Sequence, residues 1–91
     1  MRVTVISPER AVFAGDADAV VAPAFDGLVG ILPHHAPFMT LLGQGTLTVR
    51  QGTVAHTVTV RGGFLQVVRD TVRVVTEHIE GEMSTSGEGL R

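Results

Sequence analysis

Two histidines, His34 and His35, stand side by side between Pro33 and Pro37 inside an otherwise apolar stretch, GLVGILPHHAPFMTLLGQG. Adjacent imidazoles raise the idea of a metal centre or an acid–base pair. Neighbouring residues on a strand point to opposite faces, so both rings could reach one ion only from an irregular loop. His56 and His78 are distant in sequence, and no carboxylate stands at a ligand spacing from the pair. Edge or surface histidines beside a turn are the simpler reading.

Hydrolytic chemistry is weaker still. Ser7 precedes a proline, and Ser84 and Ser86 lie in a polar C-terminal stretch, so no serine has the setting of a nucleophile elbow. Cysteine is absent, which removes thiolate nucleophiles, thiolate metal sites and disulfides. Asp16, Asp18 and Asp26 sit near turn signals, where Asp bonds its own backbone. Gly27-x-x-Gly30 and Gly43-x-Gly45 lack the Lys and Ser/Thr of a phosphate loop. The expectation is a chain with no catalytic residue, no cofactor and no metal.

The apolar stretch itself is the remaining functional signal. It holds Leu28, Val29, Ile31, Leu32, Phe38, Met39, Leu41 and Leu42. A small β domain can turn only part of such a run inward, and the rest would form the exposed patch typical of a protein-binding surface. Two prolines would stiffen it and lower the ordering cost of binding. A central core crossing accounts for the same residues equally well.

The elements that would position this stretch read as strands. Val3 and Val5 alternate with polar neighbours before Ser7-Pro8, Val12-Phe13-Ala14 leads to Gly15-Asp16, and residues 18–22 form a short apolar run stopped by Pro23. Leu47 and Val49, Val58 and Val60, and Val72 and Val74 mark the inward positions of three later alternating runs. Gln51-Gly52-Thr53 and Arg69-Asp70 look like hairpin turns, and Gly62-Gly63 like a break. Period-two alternation with breaks at this spacing predicts an all-β sandwich or barrel. The helical spacing of Phe38, Leu41 and Leu42 is cut short by Gly43 and Gly45, and a strand fits there at least as well.

Composition supports one small β domain. Ninety-one residues make a single core that buries about 60–65% of the extended surface. Val and Thr are abundant, Trp and Tyr are absent, and β-branched residues pack well on a pleated sheet. A net charge of −2, with all seven basic residues scattered arginines, argues against a nucleic-acid binder. No run approaches the roughly 18 apolar residues of a membrane span, and the N-terminus is too polar for a signal peptide. The expectation is a cytosolic chain, or one attached to a membrane only through partners.

The ordered motifs resemble a known family. Gly27-x-x-Gly30-Ile31-Leu32-Pro33-x-His35-Ala36-Pro37 resembles the signature of the epsilon subunits of F-type ATP synthases. Val5-x-Ser7-Pro8-Glu9 with Val12-Phe13-x-Gly15 resembles the family's opening strand and turn. Gly43-x-Gly45-x-Leu47, Gly62-Gly63-Phe64-Leu65-x-Val67 and Val72-x-Val74 resemble its later strands. The match is collinear over residues 2–80.

That resemblance implies a flattened β-sandwich of two five-stranded sheets over residues 1–80; the polar stretch at 81–91, with no hydrophobic period, predicts a flexible tail in place of the helical hairpin that most relatives add. It implies a non-catalytic rotor subunit that links gamma to the membrane-embedded c ring, peripheral on the cytoplasmic face of a bacterial inner membrane or the stromal face of a thylakoid. It also implies site residues. His35, Ala36, Pro37, Met39, Thr40 and Leu42 would lie against gamma, and Asp26, Gly27 and Leu28 would face the c-ring loops. His34 stands where relatives often carry Gly, and Leu28 where some carry an acid, so an apolar contact replaces an ion pair there. The alternatives are a stand-alone sandwich that binds a sugar, disfavoured by the lack of Trp and Tyr, and a small metal enzyme built on the histidines.

Overall fold

The computed structural model describes residues 1–87, and they form eight strands and no helix. These are β1 (Arg2–Ile6), β2 (Ala11–Asp16), β3 (Ala19–Ala24), β4 (Gly27–Ile31), β5 (Phe38–Leu41), β6 (Gln44–Gln51), β7 (Val54–Val68) and β8 (Thr71–Gly87). The short strands other than β3 end at or near Pro, Gly or Asp. The helical spacing at Phe38–Leu42 loses to strand β5.

The strands form one hydrogen-bonded ladder in the order β2-β1-β8-β7-β6-β3-β4, with β5 on β7. The ladder is a single sheet folded back on itself into the two layers of a β-sandwich. The long strands β7 and β8 make the fold, because each serves both layers. On one side β2, β1, the first half of β8, the second half of β7 and β5 lie together. On the other lie β4, β3, β6, the first half of β7 and the second half of β8.

Gly62 and Gly63 make the bend in β7, with φ of +74° and +105°. Side-chain alternation slips there by one residue. Val58 and Val60 face inward before the bend, Leu65 and Val67 after it. The slip keeps apolar side chains in the core while the strand changes layer. Opposite the bend, the buried Thr76 hydroxyl lies 3.0 Å from the Gly62 carbonyl and 3.1 Å from the His78 carbonyl, and so donates across the turning point. Bends of this kind place glycine where the backbone of a neighbouring strand comes close.

One core fills the space between the layers. Val3, Val5, Leu65, Val67, Val72 and Val74 come from one side, and Val20, Ala22, Ile31, Leu47, Val49, Val58 and Val60 from the other. Every inward position read from the alternating runs is buried. Pro23 does not stop β3, which continues to Ala24. Its missing N–H costs nothing there, because its carbonyl turns away from β4 to accept from Gly43 N at 2.8 Å.

The C-terminal stretch differs most from expectation. Residues 81–87 are not a frayed tail but the end of β8, paired with β7 through Thr57↔Ser84, Ala55↔Ser86 and Val54↔Gly87. The ladder supplies the order that the polar side chains do not. His56 pins this end, with Nδ1 2.9 Å from Thr85 Oγ1 and Nε2 2.7 Å from Gln51 Oε1, and its ring tilted against Phe13 at 5.2 Å. Residues 88–91 lie outside the described ones.

Candidate functional site

The segment from Leu32 to Pro37 is a loop held by three local devices. The first is a turn closed by His35 N–H donating to Leu32 O at 3.2 Å. Pro33 takes its second position and His34, at φ +66°, its third, which is the pattern of a type II turn. That third position favours glycine, and His34 occupies it as one of three non-glycine residues with positive φ among those described. The second device is Asp70, whose carboxylate accepts from His34 N–H at 2.8 Å across the β7–β8 turn. The third is the His35 ring. Its Nδ1 lies 2.7 Å from Ala36 O, and it meets Phe38 edge-on at 5.6 Å. Phe38 packs against the core, so His35 is tied to the fold rather than free in solvent.

The hydrogen bond from His34 holds the Asp70 carboxyl below the usual carboxylate value of 3.8, with the N-terminal ammonium as a lesser cause and desolvation opposing both. A lowered carboxylate pKa stabilises the fold at pH above the unfolded value, and that contribution drains as pH falls through the lower folded value. Asp70→Asn keeps an acceptor and tolerates the left-handed backbone at this position (φ +61°), but removes the charge. The expected result is a lower melting temperature than wild type at neutral pH, with the gap closing below the ordinary carboxylate range. A gap that persists unchanged in acid would overturn this assignment.

Beyond the loop, β5 forms the edge of its layer and sends Met39 and Leu41 outward, 60% and 63% exposed. Leu41 begins an apolar row that crosses four strands. It pairs with Phe64, Phe64 with Val75, and Val75 with Ile6. A cleft at the end of this row is lined by Ile6, Pro8, Phe64 and Val75. Solvent-facing positions of a sheet are ordinarily polar, so a row of this length is an unpartnered apolar face. Val75 was the sequence signal for it, an apolar residue between the inward positions Val74 and Thr76.

Of the residues expected to meet a partner, His35 and Thr40 are half-buried, and Ala36, Pro37 and Met39 are exposed. Leu42 is a correction. It is 5% exposed and belongs to the core, because adjacent leucines on a strand take opposite faces and Leu41 takes the outer one. Asp26, Gly27 and Leu28 lie exposed at the β3–β4 turn and on β4, with Leu28 75% exposed beside Phe25 at 67%. The two groups adjoin, since Phe25 N–H donates to Leu41 O at 3.0 Å.

The four histidines do not converge. His34 is anchored through its backbone, His35 leans on Phe38, and His56 joins Gln51 and Thr85. No three His, Cys, Asp or Glu side chains gather as a metal site among the described residues. No helix among them is long and apolar enough to cross a membrane.

An eight-stranded sandwich with one apolar outer face and an exposed hairpin beside it describes a docking module. Residues 1–82 match the profile of the ATP synthase delta/epsilon chain β-sandwich domain, and the chain belongs to that family. Similar proteins include the ATP synthase epsilon chain of Leptospira borgpetersenii, 42% identical over 86% of this chain and 61% of its own length. That of Dehalococcoides mccartyi is 42% identical over 88% of this chain and 57% of its own. The chain thus spans about three fifths of these relatives. The epsilon chain of Frankia casuarinae, 42% identical, is covered over 92% of its length. A chain in the Euglena gracilis mitochondrial ATP synthase structure, described as OSCP/F1/c-ring, shares the fold. Its TM-score is 0.79 at 21% identity, over 86% of this chain and 51% of that one.

Proposed function

We propose that this chain is a non-catalytic rotor subunit of an F-type ATP synthase, linking gamma to the c ring and helping to couple rotation to ATP synthesis. The observation that carries this reading is the apolar outer face built from Ile6, Leu41, Phe64 and Val75, on a domain whose relatives are named ATP synthase epsilon chains. A face of this kind suits a large, permanent protein contact. His35, Ala36, Pro37, Met39 and Thr40 border it and would lie against gamma. Asp26, Gly27 and Leu28, on the adjoining hairpin, would face the c-ring loops through Leu28 rather than through an ion pair. Attachment to the membrane is then indirect, through the ring, on the side that carries the catalytic head.

Co-purification from native membranes tests the reading. Tagged protein should bring down gamma and the c ring through an interface of at least roughly 1,000 Å². Capture of neither, from membranes that contain an intact synthase, would sink it.

A further inference from the structure

The β4 edge is open, and the register of the sheet fixes which of its backbone groups are free. The Pro23 carbonyl is bonded to Gly43 N, on the side away from β4. Its pair partner Leu28 therefore turns its own N–H and C=O away from β3, and Gly30, two residues on, does the same. Among the described residues no group bonds these four. The side chains follow the same parity. Val29 and Ile31 point inward, while Leu28 stands 75% exposed on the outer side and Gly30 leaves open space, with no atom within 4 Å of where a Cβ would sit.

Free edges are commonly blunted by charge, proline or a bulge. The β8 edge is occupied in part by Arg10, which donates to Gly81 O at 3.1 Å. The β1–β2 pair carries a register shift at Val5/Ile6, and β2 ends in Asp16. Strand β4, GLVGI, has none of these devices.

We infer that β4 pairs with β4 of a second copy of this chain, antiparallel about a two-fold axis at Val29. A two-fold pairing must match outward groups with outward groups. Centring it on Val29 sets Leu28 opposite Gly30 of the other copy, twice, and uses all four free backbone groups in hydrogen bonds. Each leucine then covers the space beside the partner's glycine and reaches towards Val21, the outward neighbour of Gly30 on β3. Centring on Leu28 would oppose two leucines, and centring on Gly30 two glycines, so the sequence favours the first register. The contact is small, and the dimer is concentration-dependent. The pairing is one of the free chain, since Leu28 cannot meet the c-ring loops and a second copy at once, and a failed capture of gamma leaves it standing.

Sedimentation velocity over about a hundredfold concentration range should show mass rising towards the dimer, by mass action. Gly30→Lys should weaken association at least about tenfold, because it fills the space and charges the edge, with an unchanged circular dichroism spectrum. Met39→Asp, on the other face, should leave the dimer intact. Hydrogen exchange on the wild type gives a second readout. The Leu28 and Gly30 amides should gain protection as concentration rises, while the Val29 amide, which faces β3, should be protected throughout. A monomer at every concentration, or a dimer indifferent to Gly30→Lys with Leu28 and Gly30 exchanging freely, would overturn the inference.

Discussion

Gly63→Ala should remove a large part of this domain's stability, about 3–5 kcal/mol from combined backbone strain and overpacking. Two effects act together. The backbone there sits at φ +105°, which L side chains rarely adopt, and an added Cβ would overlap the carbonyl oxygen of Val75 and crowd Thr76 Cα at 2.7 Å. The obstructing atoms are backbone of the paired strand, so no side-chain rotation relieves them. Because Gly63 is where β7 passes from one layer to the other, a shift there disturbs both layers. A domain of this size holds roughly 5–14 kcal/mol in total. The urea midpoint should therefore fall by a large fraction. Gly81→Ala is the control, with φ +77° and no atom within 4 Å, so only the backbone term of about 1–2 kcal/mol remains. Equal losses for the two variants would show that crowding at the bend is not the cause.

The second large effect separates two apolar positions, Leu42 and Met39, that look alike in the sequence. Leu42→Ala should cost about 2–5 kcal/mol through the lost transfer energy and the cavity it leaves. Leu42→Asp should not fold, since it would place an unpaired charge among core side chains. Met39→Asp, at a position 60% exposed, should change stability by no more than about 0.5 kcal/mol. Its effect belongs to docking, where a desolvated carboxylate in an apolar contact should abolish gamma capture. Denaturation and co-purification on the same three proteins check both halves. A folded Leu42→Asp variant would contradict the packing, and a Met39→Asp variant that still captures gamma would move the contact elsewhere.

The contrast between these two residues shows where the sequence stops being legible. Alternation gives inward and outward classes within a run, and Val3, Val5, Leu47, Val49, Val58, Val60, Val72 and Val74 all fall inward as read. It cannot choose between Leu41 and Leu42, because an apolar pair satisfies either phase. Pairing with Phe64 decides it. The Gly62-Gly63 step reads as a break because the alternation slips there, yet the strand runs through it, and the slip itself is the mark of a change of layer. The end of β8 was hidden for a different reason. Its residues are mostly polar, and backbone pairing to β7, with Met83 against the core and the His56–Thr85 bond, holds them, a combination that leaves no hydrophobic period behind. For the loop histidines, spacing alone argued against a shared ligand role. The role of His34 needed a backbone angle, since no sequence pattern announces a left-handed histidine.

The parallel pairing of β1 with β8 has a consequence for the order in which the chain can fold. Arg2 lies beside Thr71 and Ile6 beside Val75, so β1 is completed by β8, the strand farthest from it in sequence among the described residues. β1 can pair early with β2, but its other edge waits until β8 has been made. Loop closure over that separation is an entropic cost met before any core contact in this layer offsets it. The opposite layer, built largely from neighbouring hairpins, can assemble as it emerges. The sandwich therefore closes only once β8 is available, and a nascent chain stalled before Thr71 would expose Val3 and Val5 to whatever chaperone or aggregate reaches them first.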